Sequence, residues 1–105
     1  FTTSAAEEIA KAAPQAAVVK GFNTVFAQLL DPAARRGQTV QVFLAADDEE
    51  AKKRAAALTA DMGFKAVDAG GLRNSRFLEP LGEMNILFGF FLGKGTGIAP
   101  MWSGL

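Results

Sequence analysis

Apolar and polar positions along this chain fall into stretches of helical period separated by three short, nearly continuous apolar runs. Ser4 followed by Glu7 has capping-box spacing and predicts a short helix through Ala12, which Pro14 prevents from continuing. Residues 16–21 are an apolar run of strand length. Asn23 can then cap a short helix over 24–30 with Val25, Phe26, Leu29 and Leu30 turned inward, and Asp31, Pro32 and Gly37 mark a loop.

Residues 39–46 place Val40, Val42, Leu44 and Ala46 on one face and Phe43 and Ala45 on the other, the pattern of a strand covered on both sides and so of a parallel sheet. Asp47 and Glu50 repeat the capping-box spacing. The helix they open has i,i+4 pairs Glu49 with Lys53 and Glu50 with Arg54, a predicted buried stripe of Ala51, Ala55, Leu58 and Met62, and Gly63 at its left-handed end. A third strand is expected over 64–69. After Gly70 and Gly71 turn the chain, Asn74 or Ser75 can cap a long apolar helix reaching Leu92, with Pro80 close enough to its start to bend rather than end it.

This alternation predicts an α/β fold: a partial Rossmann-like, three-layer arrangement of about three mainly parallel strands with flanking helices and a long apolar C-terminal helix. At 105 residues the chain supports a single domain over 1–105. A three-stranded sheet is thin, so either further strands or a second copy should cover its open edge. The apolar face of Phe77, Leu81, Met84, Phe88 and Phe91 reads as core or interface, which predicts a homodimer through the helix between Phe77 and Leu92 or through an open sheet edge.

Composition narrows the chemistry. Eleven basic and eleven acidic residues give a net charge of zero, so no basic surplus faces nucleic-acid phosphates. With neither cysteine nor histidine, thiolate nucleophiles, soft-metal sites and histidine-based triads cannot come from this chain, and no catalytic or metal-ligating residue is assigned. The greasiest stretch, residues 86–92, is far shorter than the roughly 20 apolar residues of a membrane-spanning helix. No basic segment precedes an apolar one at Phe1, so no signal peptide is expected, the chain reads as cut from something longer, and the cytoplasm is the default location.

Ligands of open α/β sheets bind beyond the carboxyl ends of the strands. That rule selects Phe22, Asn23, Thr24 and Val25, then Asp47 and Asp48, then the segment Gly70 through Arg76. Helix capping accounts for Asn23 and Thr24 without excluding ligand contact, and dipole compensation accounts for the two aspartates. Adjacent glycines at 70 and 71 permit close backbone approach, and Glu79 can either pair with Arg76 three residues back or point into solvent. The glycines around Lys94 look only superficially like a phosphate loop, because no strand precedes them.

Three ordered blocks carry a resemblance: Val18-Val19-Lys20-Gly21-Phe22-Asn23-Thr24-Val25-Phe26-Ala27, then Val42-Phe43-Leu44-Ala45-Ala46-Asp47-Asp48, then Val67-Asp68-Ala69-Gly70-Gly71-Leu72-Arg73-Asn74-Ser75-Arg76 with Leu78-Glu79-Pro80. In order and spacing they resemble the C-terminal half of the NADPH-dependent reductases of the deazaflavin coenzyme F-420, whose relatives include the reductase domains of membrane metalloreductases. The family's N-terminal half carries the GxGxxG loop that anchors NADP, and that half is absent here. The resemblance implies that Asn23, Thr24 and Val25 lie near the nicotinamide and deazaflavin rings, with Ala27 near the carboxamide. It likewise implies that Asn74, Ser75 and Leu81 line the deazaflavin side.

Three functions follow as expectations. One is part of an oxidoreductase moving a hydride between NADP(H) and a deazaflavin or flavin-like acceptor, inactive as this chain alone; such chemistry asks the protein mainly to orient and dehydrate two coenzymes. Another is a truncated relative acting as a homodimeric binding or structural module. A third, a small enzyme using carboxylates alone, would need inward-facing acids such as Glu79 and Glu83.

Overall fold

The computed structural model describes residues 2–105. Along them run α1 (Ala5–Ala12), β1 (Val19–Lys20), β2 (Gln41–Ala46), α2 (Glu49–Asp61), β3 (Lys65–Asp68) and α3 (Ser75–Ile86). Short 3-10 helices occupy Ala27–Leu30, Pro32–Arg35 and Leu72–Asn74, and a π-helical turn, Leu87–Phe91, prolongs α3.

The sheet has the order β1-β2-β3. β2 and β3 are parallel, with Val42 opposite Ala66 and Phe43 opposite Val67, and α2 forms their crossover. β1 runs antiparallel, with Val19 opposite Ala46, so the expected parallel direction holds for two of the three strands. The reason lies in the connection. A parallel return needs a crossover segment, usually a full helix, whereas residues 21–40 form only two 3-10 turns that bring the chain back directly. The helix expected over 24–30 is correspondingly short, and its cap position is Phe26 rather than Asn23.

β2 is buried at every position and separates two cores. Val40, Val42 and Leu44 join Leu29 and Phe64 on the side of α2, with Ala55 and Ala56 packed against them. Phe43 and Ala45 meet Leu78 of α3 on the other side. The two faces read from the sequence are thus the two sides of a three-layer α/β unit. No described helix is long and apolar enough to cross a membrane.

The buried stripe of α2 differs from expectation by about one residue. Lys52 and Thr59 are buried and Leu58 is 62% exposed. Lys52 can be buried because its ammonium meets Asp68 at 2.9 Å, Glu49 at 3.2 Å and the Gly70 carbonyl at 3.1 Å. Thr59 donates its hydroxyl to the Ala55 carbonyl at 2.7 Å, so a polar residue enters the core without a lost hydrogen bond. The helix therefore uses Glu49–Lys52 as its ion pair, in place of the expected i,i+4 pairs. Asp48, not Asp47, is its cap, accepting from the Ala51 N–H. Gly63, at φ 87°, ends it with the Phe64 N–H returning to the Thr59 carbonyl.

Glu79 does not pair with Arg76. Its carboxylate accepts the Ala5 and Ala6 N–H groups at 2.8 and 3.1 Å and meets Lys20 at 3.3 Å, while Arg76 forks onto Glu7 at 2.8 and 3.0 Å. An anion at the amino end of α1 is favoured by the free N–H groups there, so α3 holds α1 by two ionic contacts. At the other end of the chain, Gln41 grips the Trp102 backbone: its Oε1 accepts the N–H at 2.7 Å and its Nε2 donates to the carbonyl at 3.0 Å. Trp102 meets Phe43 edge to face at 5.8 Å.

Candidate functional site

One side of α3 and its π turn is buried through Ser75, Leu78, Gly82 and Asn85, then Gly89. Small side chains on that side let the loop after β1 lie against the helix backbone. A Cβ on Gly82 would stand 2.7 Å from the Asn23 carbonyl oxygen, and one on Gly89 would stand 2.6 Å from the Phe26 ring. The loop is held by amides: Asn23 Nδ2 donates to the Leu78 carbonyl at 2.7 Å, and Asn85 Nδ2 donates to the Thr24 carbonyl at 3.1 Å.

The loop opens with Phe22 in the left-handed region at φ 63°. For a bulky residue this conformation is strained by about 1–3 kcal/mol and persists only where its surroundings impose it. Here the Phe22 ring is fixed edge-on to Phe64 at 5.6 Å. The turn then directs Asn23 and Thr24 at α3.

Three side-chain atoms in this region are buried without a hydrogen-bond partner among the described residues: Asn23 Oδ1, Thr24 Oγ1 and Ser75 Oγ. Such atoms are uncommon, because a buried unpaired polar group costs roughly 1–3 kcal/mol. All three belong to residues expected to face coenzyme rings. Thr24 and Ser75 are closed to solvent at 1% and 0% exposure, whereas Asn23 is half-buried.

The remaining expected residues are distributed less tightly. Asn74 stands at the start of α3 but does not cap it with its side chain; its Nδ2 turns back to the Ala69 carbonyl at 2.7 Å and closes the turn around Gly70, at φ 85°. Asp47 ties the same turn down by accepting the Leu72 N–H at 2.9 Å. Val25 packs into the α2-side core, and Ala27 is exposed at the start of its 3-10 helix. Leu81 borders an apolar cavity of about 370 Å³ shared with Met84, Asn85, Phe88 and Trp102.

β1 being antiparallel, the rule of strand carboxyl ends does not by itself unite Asn23 with the segment 70–76. α3 does so instead, carrying Ser75 and the Leu78 carbonyl that holds Asn23 on successive turns. Asn85 was not foreseen. Its signal is a lone amide between Met84 and Ile86 in an apolar run. Glu79 is committed to α1 and Glu83 is exposed, so the two do not form an inward-facing acid pair.

The electrostatics are those of fixed ion pairs. The Arg76 guanidinium hydrogen-bonded to Glu7 holds that carboxyl below its usual value. Burial opposes ionisation of Glu79, but the Ala5 and Ala6 amides together with Lys20 outweigh it and hold its carboxyl low. Asp68 is lowered by the Gly70 N–H and then by Lys52, whose own pKa is raised mainly by Asp68.

No family model matches the chain. Over 78 residues, 74% of its length, it is 36% identical to Metalloreductase STEAP3 of Rattus norvegicus, and the match spans 16% of that protein. Its fold superposes with a TM-score of 0.89 on a solved structure from Arthrobacter sp. FB24 provisionally assigned as an F-420-dependent NADP reductase, at 28% identity. That superposition covers 98% of this chain and 47% of the other, so the chain spans less than half of each relative.

Proposed function

We propose, on the premise that this chain has the fold and resembles the sequence of the F-420-dependent NADP reductases, that it forms the ring-binding part of a reductase acting between NADP(H) and a deazaflavin or flavin-like acceptor. The observation that carries the reading is Asn23. Its amide nitrogen is tied to the Leu78 carbonyl while Oδ1 stays buried with no partner among the described residues, on a loop held by a left-handed Phe22. An acceptor atom fixed in that way suits a ligand N–H such as a carboxamide, and Thr24 Oγ1 and Ser75 Oγ are further buried groups without a partner among the described residues.

The coenzymes, when bound, supply the hydride donor and acceptor. Asn23, Thr24 and Val25 would hold the nicotinamide and deazaflavin rings, Ala27 would lie toward the carboxamide, and Asn74, Ser75 and Leu81 would line the deazaflavin side. The apolar walls exclude water from between the rings. With no histidine or cysteine in the chain, none of these residues needs to exchange a proton in the transfer. The NADP phosphates require the glycine-rich loop of the other half, so this chain alone is inactive, and the whole reductase works in the cytoplasm.

A second reading has its own support. Phe77, Met84, Phe88 and Phe91 are exposed along one helical rod, and a second copy laid against them would make a homodimeric module. Saturation-transfer NMR with nicotinamide mononucleotide and with a deazaflavin tests the first reading. Weak, saturable contact that disappears in Asn23→Leu supports ring binding, whereas a folded chain that contacts neither ring overturns it.

A further inference from the structure

We infer that the cavity at the amino end of β2 is a binding site for a small oxyanion, a carboxylate or a phosphate, gripped by Arg35. The cavity measures about 650 Å³ and is bounded by Leu29, Arg35, Gln38, Thr39, Gln41 and the tail 97–101. None of the residues placed around the coenzyme rings lines it, so the inference is independent of the reductase reading.

Among the described residues Arg35 is the one formally charged residue in that wall, and it is 7% exposed. Its guanidinium lies 3.7 Å from the centre of the Phe64 ring. Nε donates to the Leu29 carbonyl at 2.7 Å, Nη1 to the Met62 carbonyl at 2.9 Å and Nη2 to the Leu30 carbonyl at 3.2 Å. Those bonds fix the plane of the group. They leave two of its five N–H donors without an acceptor among the described residues.

Charge makes the case stronger than the hydrogen-bond count does. A guanidinium cannot shed its proton to escape burial, as a lysine can, so a full positive charge stays in the wall. Carbonyl dipoles and an aromatic face attenuate the cost of that burial, but they bring no formal negative charge, and no described carboxylate forms a salt bridge with Arg35. By contrast Lys52, the other buried cation, has two carboxylates. An oxyanion in the cavity supplies the missing charge, taking the two free N–H groups in the geometry that guanidinium offers to carboxylate and phosphate alike. Thr39 and Gln38, both at exposed positions in the same wall, add polar side chains to its rim.

The test is isothermal titration of the whole chain with inorganic phosphate and, separately, with acetate, at an ionic strength held constant with chloride. Saturable uptake of one anion per chain is expected. Phosphate without acetate identifies a phosphate-type ligand, and uptake of both identifies the shared oxyanion geometry. Thr39→Val, which removes a hydroxyl that holds nothing else in the fold, should weaken uptake about tenfold, the loss of one hydrogen bond to a charged group. Arg35→Lys keeps the charge but loses the fork, and should abolish uptake while lowering stability. Should Arg35→Lys fail to fold, the wild type and Thr39→Val decide. No saturable uptake of either anion, or uptake unchanged in Thr39→Val, overturns the assignment and leaves Arg35 as a carbonyl clamp alone.

Discussion

The helical rod that begins at Ser75 is held in two different ways along its length. Its first turns are surrounded by specific polar partners: Arg76 on Glu7, Glu79 on the amino end of α1, the Leu78 carbonyl on Asn23, and Asn85 on the Thr24 carbonyl. Its last turn, Leu87–Phe91, has widened to π geometry and leaves Phe90 and Phe91 at 63% and 78% exposure. Among the described residues only Phe90 there meets another ring, edge-on to Phe26 at 5.4 Å. Directional contacts specify the first part within this chain, whereas the apolar surface of the second asks for cover that the described residues do not provide.

Four substitutions bear on that contrast. Leu78→Ala empties a core position in the polar part and should cost about 2–5 kcal/mol in urea unfolding; a loss under 1 kcal/mol would mean that the polar contacts alone hold the helix. Gly82→Ala drives a Cβ onto the Asn23 backbone and should cost about 1–3 kcal/mol, with the amide resonances of residues 22–25 shifting in NMR. Glu79→Gln, which weakens the hold on α1, should cost about 1 kcal/mol and free the amides of Ala5 and Ala6 to exchange. Phe91→Ser should change the stability of a monomer by less than about 0.5 kcal/mol, yet shift any self-association seen by sedimentation equilibrium toward monomer.

Acid sharpens the same contrast. Glu7, Glu79 and Asp68 all have carboxyl pKa values depressed by folding. Their contribution is therefore complete above the ordinary carboxylate range near pH 4 and is lost as pH falls through the lower folded values. Lys52 works in the opposite sense, its raised pKa adding stability that disappears only at strongly alkaline pH. Hydrogen exchange between pH 5 and 3 should show α1 separating from α3 before β2 loses protection. Simultaneous loss would show that the ionic contacts are no weaker than the core.

The layers were readable in the sequence because β2 alternates two apolar faces from Val42 to Ala45, and because the glycine after α2 marks a real left-handed stop. The stripe of α2 was misplaced because hydrophobicity favours Leu58 over Lys52 and Thr59, and their burial depends on distant partners or on a helical carbonyl. The direction of β1 depends on how residues 21–40 return, and no periodicity encodes that. Asn23, Thr24, Asn74 and Ser75 are legible as candidates in the sequence, but the side of α3 that meets the first two depends on Gly82 and Asn85, whose spacing acquires meaning only once the loop lies against it.

The grip of Gln41 on residue 102 reads only main-chain atoms, so it places no demand on which side chain stands there. That the side chain is the sole tryptophan of the chain, half in solvent and edge-on to a buried phenylalanine, turns the tail into an optical gauge. Docked, the indole emits from a mixed environment beside β2. Once unhooked it would emit as a fully hydrated fluorophore, so red-edge emission and iodide quenching would report the closure of the C-terminal tail without any label.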